Sequence, residues 1–243
     1  MTTHENAPTN AQILELGATV LRQIPKDLSL GEARFLIDNP KVIRGVLLGL
    51  KAKARKHLRV TEAQLRTEWM EFYDRIFGIG VDLSSVKIPD EQSGFGRVLF
   101  IPQGLSINQT IDACQKYFEV NSYLSDLDSE VPISDRSPES GSYVIRLRDR
   151  READKELKNL SANELCERNI KGITLLERLV SELKYHDETG EHLDVKNVTL
   201  CNGSRYSNGG VPHVSWHGGE LTISWEYPDR ATDCERAREV IAL

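Results

Sequence analysis

His213 and His217 stand four residues apart in a segment, 197–227, that also holds Cys201, Trp216, Trp225 and a glycine-rich loop with Arg205 and Tyr206. Imidazole and thiolate are zinc ligands, and an H-x3-H pair on a helix would stack both rings on one face. The flanking residues point to strand instead. Val211–His217 and Glu220–Glu226 each alternate, with Gly218-Gly219 between them. Two alternating runs around Gly-Gly read as a β-hairpin, because Gly accepts the positive φ angles of a two-residue turn. The turn fixes a register: His217 faces Glu220, Trp216 faces Leu221, Val214 faces Ile223 and His213 faces Ser224. One face then carries Val214, Trp216, Leu221, Ile223 and Trp225 toward a core. The other carries His213, Ser215, His217, Glu220, Thr222 and Ser224 toward water or a partner. Four strand steps of about 3.3 Å hold the two imidazoles roughly 13 Å apart, too far for ligands that each sit about 2 Å from one ion. At most one of them joins a metal site, with ligands from elsewhere such as Cys201, His192 or His186. No metal is therefore expected. The segment reads as a sheet edge with a recognition surface made of Arg205, Tyr206 and Asn208 in the loop 203–210, and of His213 and His217 on the hairpin.

Other residue types raise other chemistries. Arg146, Arg148, Arg150 and Arg151 lie beside Asp149, Glu152, Asp154 and Glu156. Acids at a strand end can hold Mg²⁺ while arginines grip phosphate, as in a metal-dependent hydrolase. The Glu-x-Lys that such a nuclease places on a neighbouring strand is missing, since Glu156-Leu157-Lys158 and Glu182-Leu183-Lys184 fall in predicted helices. The cluster reads as a self-neutralising surface. Cys201 as a nucleophile would need His213 as its base, and it reads more simply as a small strand residue. Ser204 lacks the strand-turn-helix context of a nucleophile elbow. Neither G-x-x-x-x-G-K nor G-x-G-x-x-G occurs. With no complete catalytic constellation, no catalytic residue and no cofactor is assigned.

A basic amphipathic helix offers a nucleic-acid alternative. Ile43, Val46, Leu47, Leu50, Ala54 and Leu58 share a stripe, and Lys51, Lys53, Arg55, Lys56 and Arg59 follow. These cations, with Arg146 and Arg148, could meet phosphates or an acidic partner. The run has no interleaved aromatic residue on which bases would stack, and cations near a helix C-terminus also suit the helix dipole.

The elements that must position these groups are legible from their starts. The pattern S/T-x-x-E/Q, in which a hydroxyl and a later side chain satisfy orphan backbone N–H groups, occurs at Thr9/Gln12, Ser29/Glu32, Thr61/Gln64, Ser106/Gln109, Ser161/Glu164 and Thr174/Glu177. Asn39-Pro40 marks a further start. A helical unit is predicted over 9–80, with helices near 10–23, 30–37, 41–58 and 62–77. Residues 81–96 lack periodicity and read as a linker or crossing loop. An α+β domain follows over 97–243, with a mainly antiparallel sheet ending in the C-terminal β-hairpin. It has strands at 97–101 and 143–148 and helices at 106–118, 151–158 and 162–168. The helix after Thr174 has a buried stripe of Leu176, Leu179, Val180 and Leu183 and is capped by Gly190. A short helix over 233–240 ends the chain.

Bulk composition sets the setting. Charged residues make up 28% and hydrophobic residues 39% of the 243, which suits a soluble globular protein. No basic-then-apolar leader and no membrane-length apolar run is present. The scattered Cys114, Cys166, Cys201 and Cys234 suit a reducing cytoplasm. The net charge of −6 argues against wholesale nucleic-acid binding. The charge is uneven: residues 1–80 hold 12 Lys+Arg against 9 Asp+Glu, and residues 81–243 hold 19 against 28. Such asymmetry suggests two units.

The runs SYVIRLRDRREADKELKNLSANEL, GITLLERLVSELKYHDETGEHLD and NVTLCNGSRYSNGGVPHVSWHGG resemble a bacterial family associated with candidate phyla, over roughly residues 65–243. The resemblance brings no established activity, substrate or fold, so it transfers no functional residue. Similar sequences read Ser-Asp-Gly after the Arg-Tyr pair where this chain has Ser207-Asn208-Gly209, and either makes a tight turn. The expectation is a cytoplasmic, non-enzymatic interaction module with a protein partner. A nucleic-acid-associated protein and a metal-dependent hydrolase are the alternatives.

Overall fold

The computed structural model describes residues 8–57 and 60–243, and within 51–57 it describes the backbone and only the Ala54 side chain. The chain forms two compact units, Met1–Leu47 and Leu48–Leu243. In the first, α1 (Asn10–Arg22) and α2 (Leu30–Asp38) precede α3 (Pro40–His57), which runs on past the division. Thr9 and Ser29 form both halves of their capping boxes, and no residue of α1 or α2 is buried. The helical unit expected over 9–80 spans this division. Helix α4 (Glu62–Phe77) belongs to the second unit, where its Trp69, Phe72, Tyr73 and Ile76 lie in the core. Those side chains pack with β1 (Arg97–Ile101), where Trp69 lies 6.0 Å from the Phe100 ring, and with the later segments of the same core.

The second unit is α+β with mainly antiparallel sheets, as the sequence predicts. After β1 come α5 (Ile107–Gln115), β2 (Val120–Ser122), α6 (Leu127–Glu130), β3 (Ile133–Ser134), β4 (Tyr143–Leu147) and α7 (Ala162–Glu167). Then follow α8 (Leu175–Thr189), β5 (Val198–Leu200), β6 (Ser204–Arg205), β7 (Val211–His217), β8 (Glu220–Glu226), β9 (Glu235–Ala237) and β10 (Val240–Ala242). One sheet has the order β1-β4-β10, a second has β2-β8-β7-β5-β9, and β3 pairs with β6 alone. The contacts β2–β8 and β5–β9 are parallel; the rest are antiparallel. The β7–β8 hairpin has the predicted register from His217↔Glu220 to Val211↔Glu226. Its turn glycines, Gly218 and Gly219, have φ of 63° and 93°, angles that a Cβ resists.

Helix α8 fills the centre. All six expected capping boxes form, including Thr174/Glu177 at its start, and Gly190 closes it at φ 72°. Its predicted stripe, Leu176, Leu179, Val180 and Leu183, is buried, but so are Glu177, Arg178, Glu182 and Lys184 on the face expected to be wet.

Two predicted helices are absent. Residues 151–158 hold only a 3-10 turn, Lys155–Leu157, and 233–240 hold β9 and the start of β10. In 233–240 the backbone pairing of β9 with β5 and of β10 with β4 takes precedence, and 154–159 is tied to β9 through the Asp154 and Asn159 N–H groups. Such non-local pairing leaves no local periodicity to read. The expected loop 81–96 has no regular structure, yet it is a packed strap. Leu83 and Phe95 are buried, Arg66 donates to the carbonyls of Leu83 and Val86, and Arg146 donates to that of Pro89.

Candidate functional site

The loop 203–210 is held by its own polar groups. Arg205 donates to the carbonyls of Asn202 (2.8 Å) and Ser204 (2.7 Å), so its guanidinium braces the loop from within. Asn208 Oδ1 accepts the Gly210 N–H at 2.9 Å, closing an Asx turn. Tyr206 is not displayed on the surface: it is 5% exposed and belongs to the core, and burial pushes its phenol up to about 12. Gly210 is where the loop meets the hairpin. A Cβ there would lie 3.0 Å from the Trp225 ring, so the absence of a side chain lets that indole lie over the loop.

The result is a groove of about 220 Å³ between the loop and the hairpin edge. Tyr206, Ser207 and Asn208 form one wall, Ile223, Ser224 and Trp225 a second, and Ser122, Tyr123, Leu124 and Glu130 the rest. Trp225 was expected inside. It lies on the core face of β8 by alternation, but at the strand end it emerges, 40% exposed, with the Tyr227 ring edge-on at 5.0 Å. Trp216, its counterpart, is partly buried and stacks on His192 beside Phe118.

The two hairpin histidines do not join this groove. His213 Nδ1 lies 3.0 Å from the buried Glu235 carboxylate, and His217 is exposed at the turn. Cys201 is fully buried, its thiol pushed up to about 12 by burial, so it does not supply a free thiolate nucleophile. Among the described residues, no three His, Cys, Asp or Glu side chains come together in a way that would hold a metal ion.

The arginine-acid cluster neutralises itself. Arg148 pairs with Asp154 and Glu239, both at 2.7 Å, and lies over the Phe95 ring. Arg150 forks onto Glu156, and Arg151 pairs with Glu191. Arg146 is engaged by Pro89. These guanidinium groups are therefore committed before any phosphate arrives. Of the other nucleic-acid residues, the side chains of Lys51, Lys53, Arg55 and Lys56, and all of Arg59, lie outside the described residues.

Sequence reasoning missed the buried ionic network around α8. Arg178 donates to Asp194 and Glu182, both at 2.9 Å. Arg238 donates to Asp194 at 2.7 Å and to the carbonyls of Arg150 and Arg151. Asp194 also accepts from the Thr199 hydroxyl and the Ala153 N–H, and it holds a left-handed φ of 52°. Burial alone would raise the Asp194 carboxyl, but the guanidinium groups of Arg238 and Arg178 hold it below its usual value. Glu182 reaches outward to His192 Nδ1 at 2.9 Å. Two buried arginines face two buried carboxylates, so the network ties α8 to the segment that leads into β5. The positive φ at Asp194 is the sort of outlier that only coordinates reveal.

A wider depression of about 620 Å³ is lined by Lys87, Gln103, Arg136, Ser137, Ser140 and Ser142, among others. Although larger, it is the weaker candidate because its one arginine and two of its serines already have partners. Arg136 is forked onto Glu177 and donates to Gly172, Ser142 Oγ accepts from Gln103, and Ser137 Oγ accepts from Glu139.

Comparison with protein-family models, curated proteins and solved structures finds no match to this chain. No described helix is long and apolar enough to cross a membrane.

Proposed function

We propose that this chain is a non-enzymatic, cytoplasmic protein-interaction module of bacterial origin that engages its partner at the groove between the loop 203–210 and the end of the hairpin. The observation that carries this reading is the half-emerged Trp225 beside the Tyr206–Asn208 loop. A large aromatic ring at the rim of a rigid concave surface is the usual anchor of an interface. The reading keeps Tyr206 and Asn208 as groove-forming residues, while Arg205 serves by bracing the loop. The self-paired arginines at 146–151 and the buried Cys201 give the nucleic-acid and hydrolase alternatives no comparable support.

Selection of a random phage-displayed peptide library on the immobilised full chain tests it. Enrichment on the wild-type chain that is lost on Ser207→Arg, which fills the rim from an exposed position, is the expected result. No enrichment, or equal enrichment on wild type and Ser207→Arg, overturns it.

A further inference from the structure

The open edge of the five-stranded sheet ends in this groove. Pro212 O accepts the Cys201 N–H at 2.8 Å, so the polar backbone groups of Pro212 face β5. Val211 and His213 must then face β8, which makes Val211↔Glu226 and His213↔Ser224 the bonded pairs of the hairpin. By alternation Leu221, Ile223 and Trp225 turn their N–H and C=O groups to the other side. Leu221 confirms this by donating to Glu119 O at 2.9 Å, next to β2. The β2 ladder, however, runs only from Val120↔Leu221 to Ser122↔Ile223. One step on, among the described residues, the N–H and C=O of Trp225 have no strand beside them.

Carbonyls on two other strands are covered. On β9, Asp154 and Asn159 donate to the carbonyls of Ala237 (3.0 Å) and Glu235 (3.1 Å). On β1, the Tyr73 hydroxyl donates to Phe100 O at 2.6 Å. An exposed donor-acceptor pair on a strand is a template for another strand, and peptides use such edges by strand addition.

The side chains around the edge specify what accompanies that backbone. Trp225 and Tyr123 present rings, 40% and 81% exposed, above the buried Tyr206. Glu130 lines the same groove, within 3.5 Å of Ser207 Oγ and without an ion pair among the described residues. Rings with one unneutralised carboxylate favour a cation, through the negative faces of the rings and through charge. The unit as a whole is acidic, with 26 Lys+Arg against 32 Asp+Glu over residues 48–243.

Resting on the interaction-module reading, we infer that the partner is an extended peptide segment that continues the line of β2 along Trp225 and places a lysine or arginine side chain in the groove beside Glu130. Trp225 supplies the backbone register, the rings receive the aliphatic stem, and Glu130 meets the cationic head.

Fluorescence anisotropy on the full chain tests this with a labelled hexapeptide of alternating Thr and Val carrying one central Lys. It is compared with the same peptide carrying Glu for Lys, and with a set N-methylated at each backbone position in turn. Saturable binding of the Lys peptide, at least tenfold weaker binding of the Glu peptide, and loss of binding on methylation at one or two alternate positions are expected. In Glu130→Gln, which keeps the shape, the Lys-over-Glu preference should fall several-fold while folding is unchanged. Absence of saturable binding, equal binding of Lys and Glu peptides, or indifference to every N-methylation overturns the inference. Groove-dependent ligands from the display selection that are neither basic nor sensitive to N-methylation would also overturn it while leaving the module reading standing. Failure of that selection to find any groove-dependent ligand removes the module reading itself.

Discussion

The two flanks of the five-stranded sheet are built on opposite terms. At β9, backbone from 154–159 pairs with the strand, His213 meets the buried Glu235, and the Arg178–Asp194–Arg238 network lies just behind. At β8, the neighbouring strand stops after Ser122, and the space beyond it is lined by rings and one unpaired carboxylate. The first flank has its polar groups satisfied by the fold. The second leaves a donor and an acceptor at Trp225 for something else. The difference teaches where stability and recognition separate: substitutions on the β9 side should unfold the unit, and those on the β8 side should spare it.

The largest effect belongs to the network. Removing Arg238 or Arg178 leaves a single buried arginine facing both Asp194 and Glu182, so one buried negative charge goes uncompensated, and breaking a buried network in this way costs about 3–5 kcal/mol. Arg238→Ala should lower the free energy of unfolding in urea by that amount. A loss as small as that of an exposed arginine would mean that the β9 flank is not sealed. Next comes His213→Ala, which leaves the buried Glu235 without its imidazole partner and should cost about 1–2 kcal/mol in the same assay.

Trp225→Ala reverses the pattern. Stability should change by about 1 kcal/mol or less, as for most half-exposed positions. Binding of the Lys hexapeptide should fall at least tenfold in anisotropy, since a central ring at an interface carries much of the affinity. A variant that unfolds while still binding would erase the distinction between the flanks.

The smallest effect is a pH dependence on the α8 side. Burial, reinforced by the neighbouring His192, lowers the His186 pKa from its usual 6.5. The unfolded chain then binds a proton there that the folded chain resists. Stability is full above 6.5 and declines as pH falls through and below that value. Asp194, held low by its arginines after burial is overcome, adds a further loss below its ordinary 3.8. Melting temperatures should drop on acidification from pH 7.5 to 5.5, and His186→Leu should flatten that first decline.

What the sequence disclosed follows the same division between local and non-local causes. The six capping boxes and the Gly-Gly register are local, since a hydroxyl three residues from a carboxamide or carboxylate, or two glycines between alternating runs, leaves little choice of geometry. The inward stripe of α8 was legible for the same reason. Its polar face was not, because Arg178 and Glu182 look like any solvated i, i+4 pair until Asp194 and Arg238 arrive from distant segments. Helices are expected at 151–158 and 233–240, whereas the partners of the strands at 235–237 and 240–242 lie far away in sequence. In the candidate site, Ser204 and Arg205 of the expected loop form β6, Tyr206 is expected outside but is buried, and Trp225 is expected inside but emerges. Alternation assigns a face; it does not say where a strand runs out of core.

Amide hydrogen exchange, resolved residue by residue in the free protein, bears most directly on the open-edge account. The N–H groups of Leu221 and Ile223, paired with β2, should be protected, whereas that of Trp225 should exchange at close to its unstructured rate and become protected when the Lys hexapeptide is added. Protection of the Trp225 amide in the free protein equal to that of Ile223, with no change on adding the peptide, would contradict it.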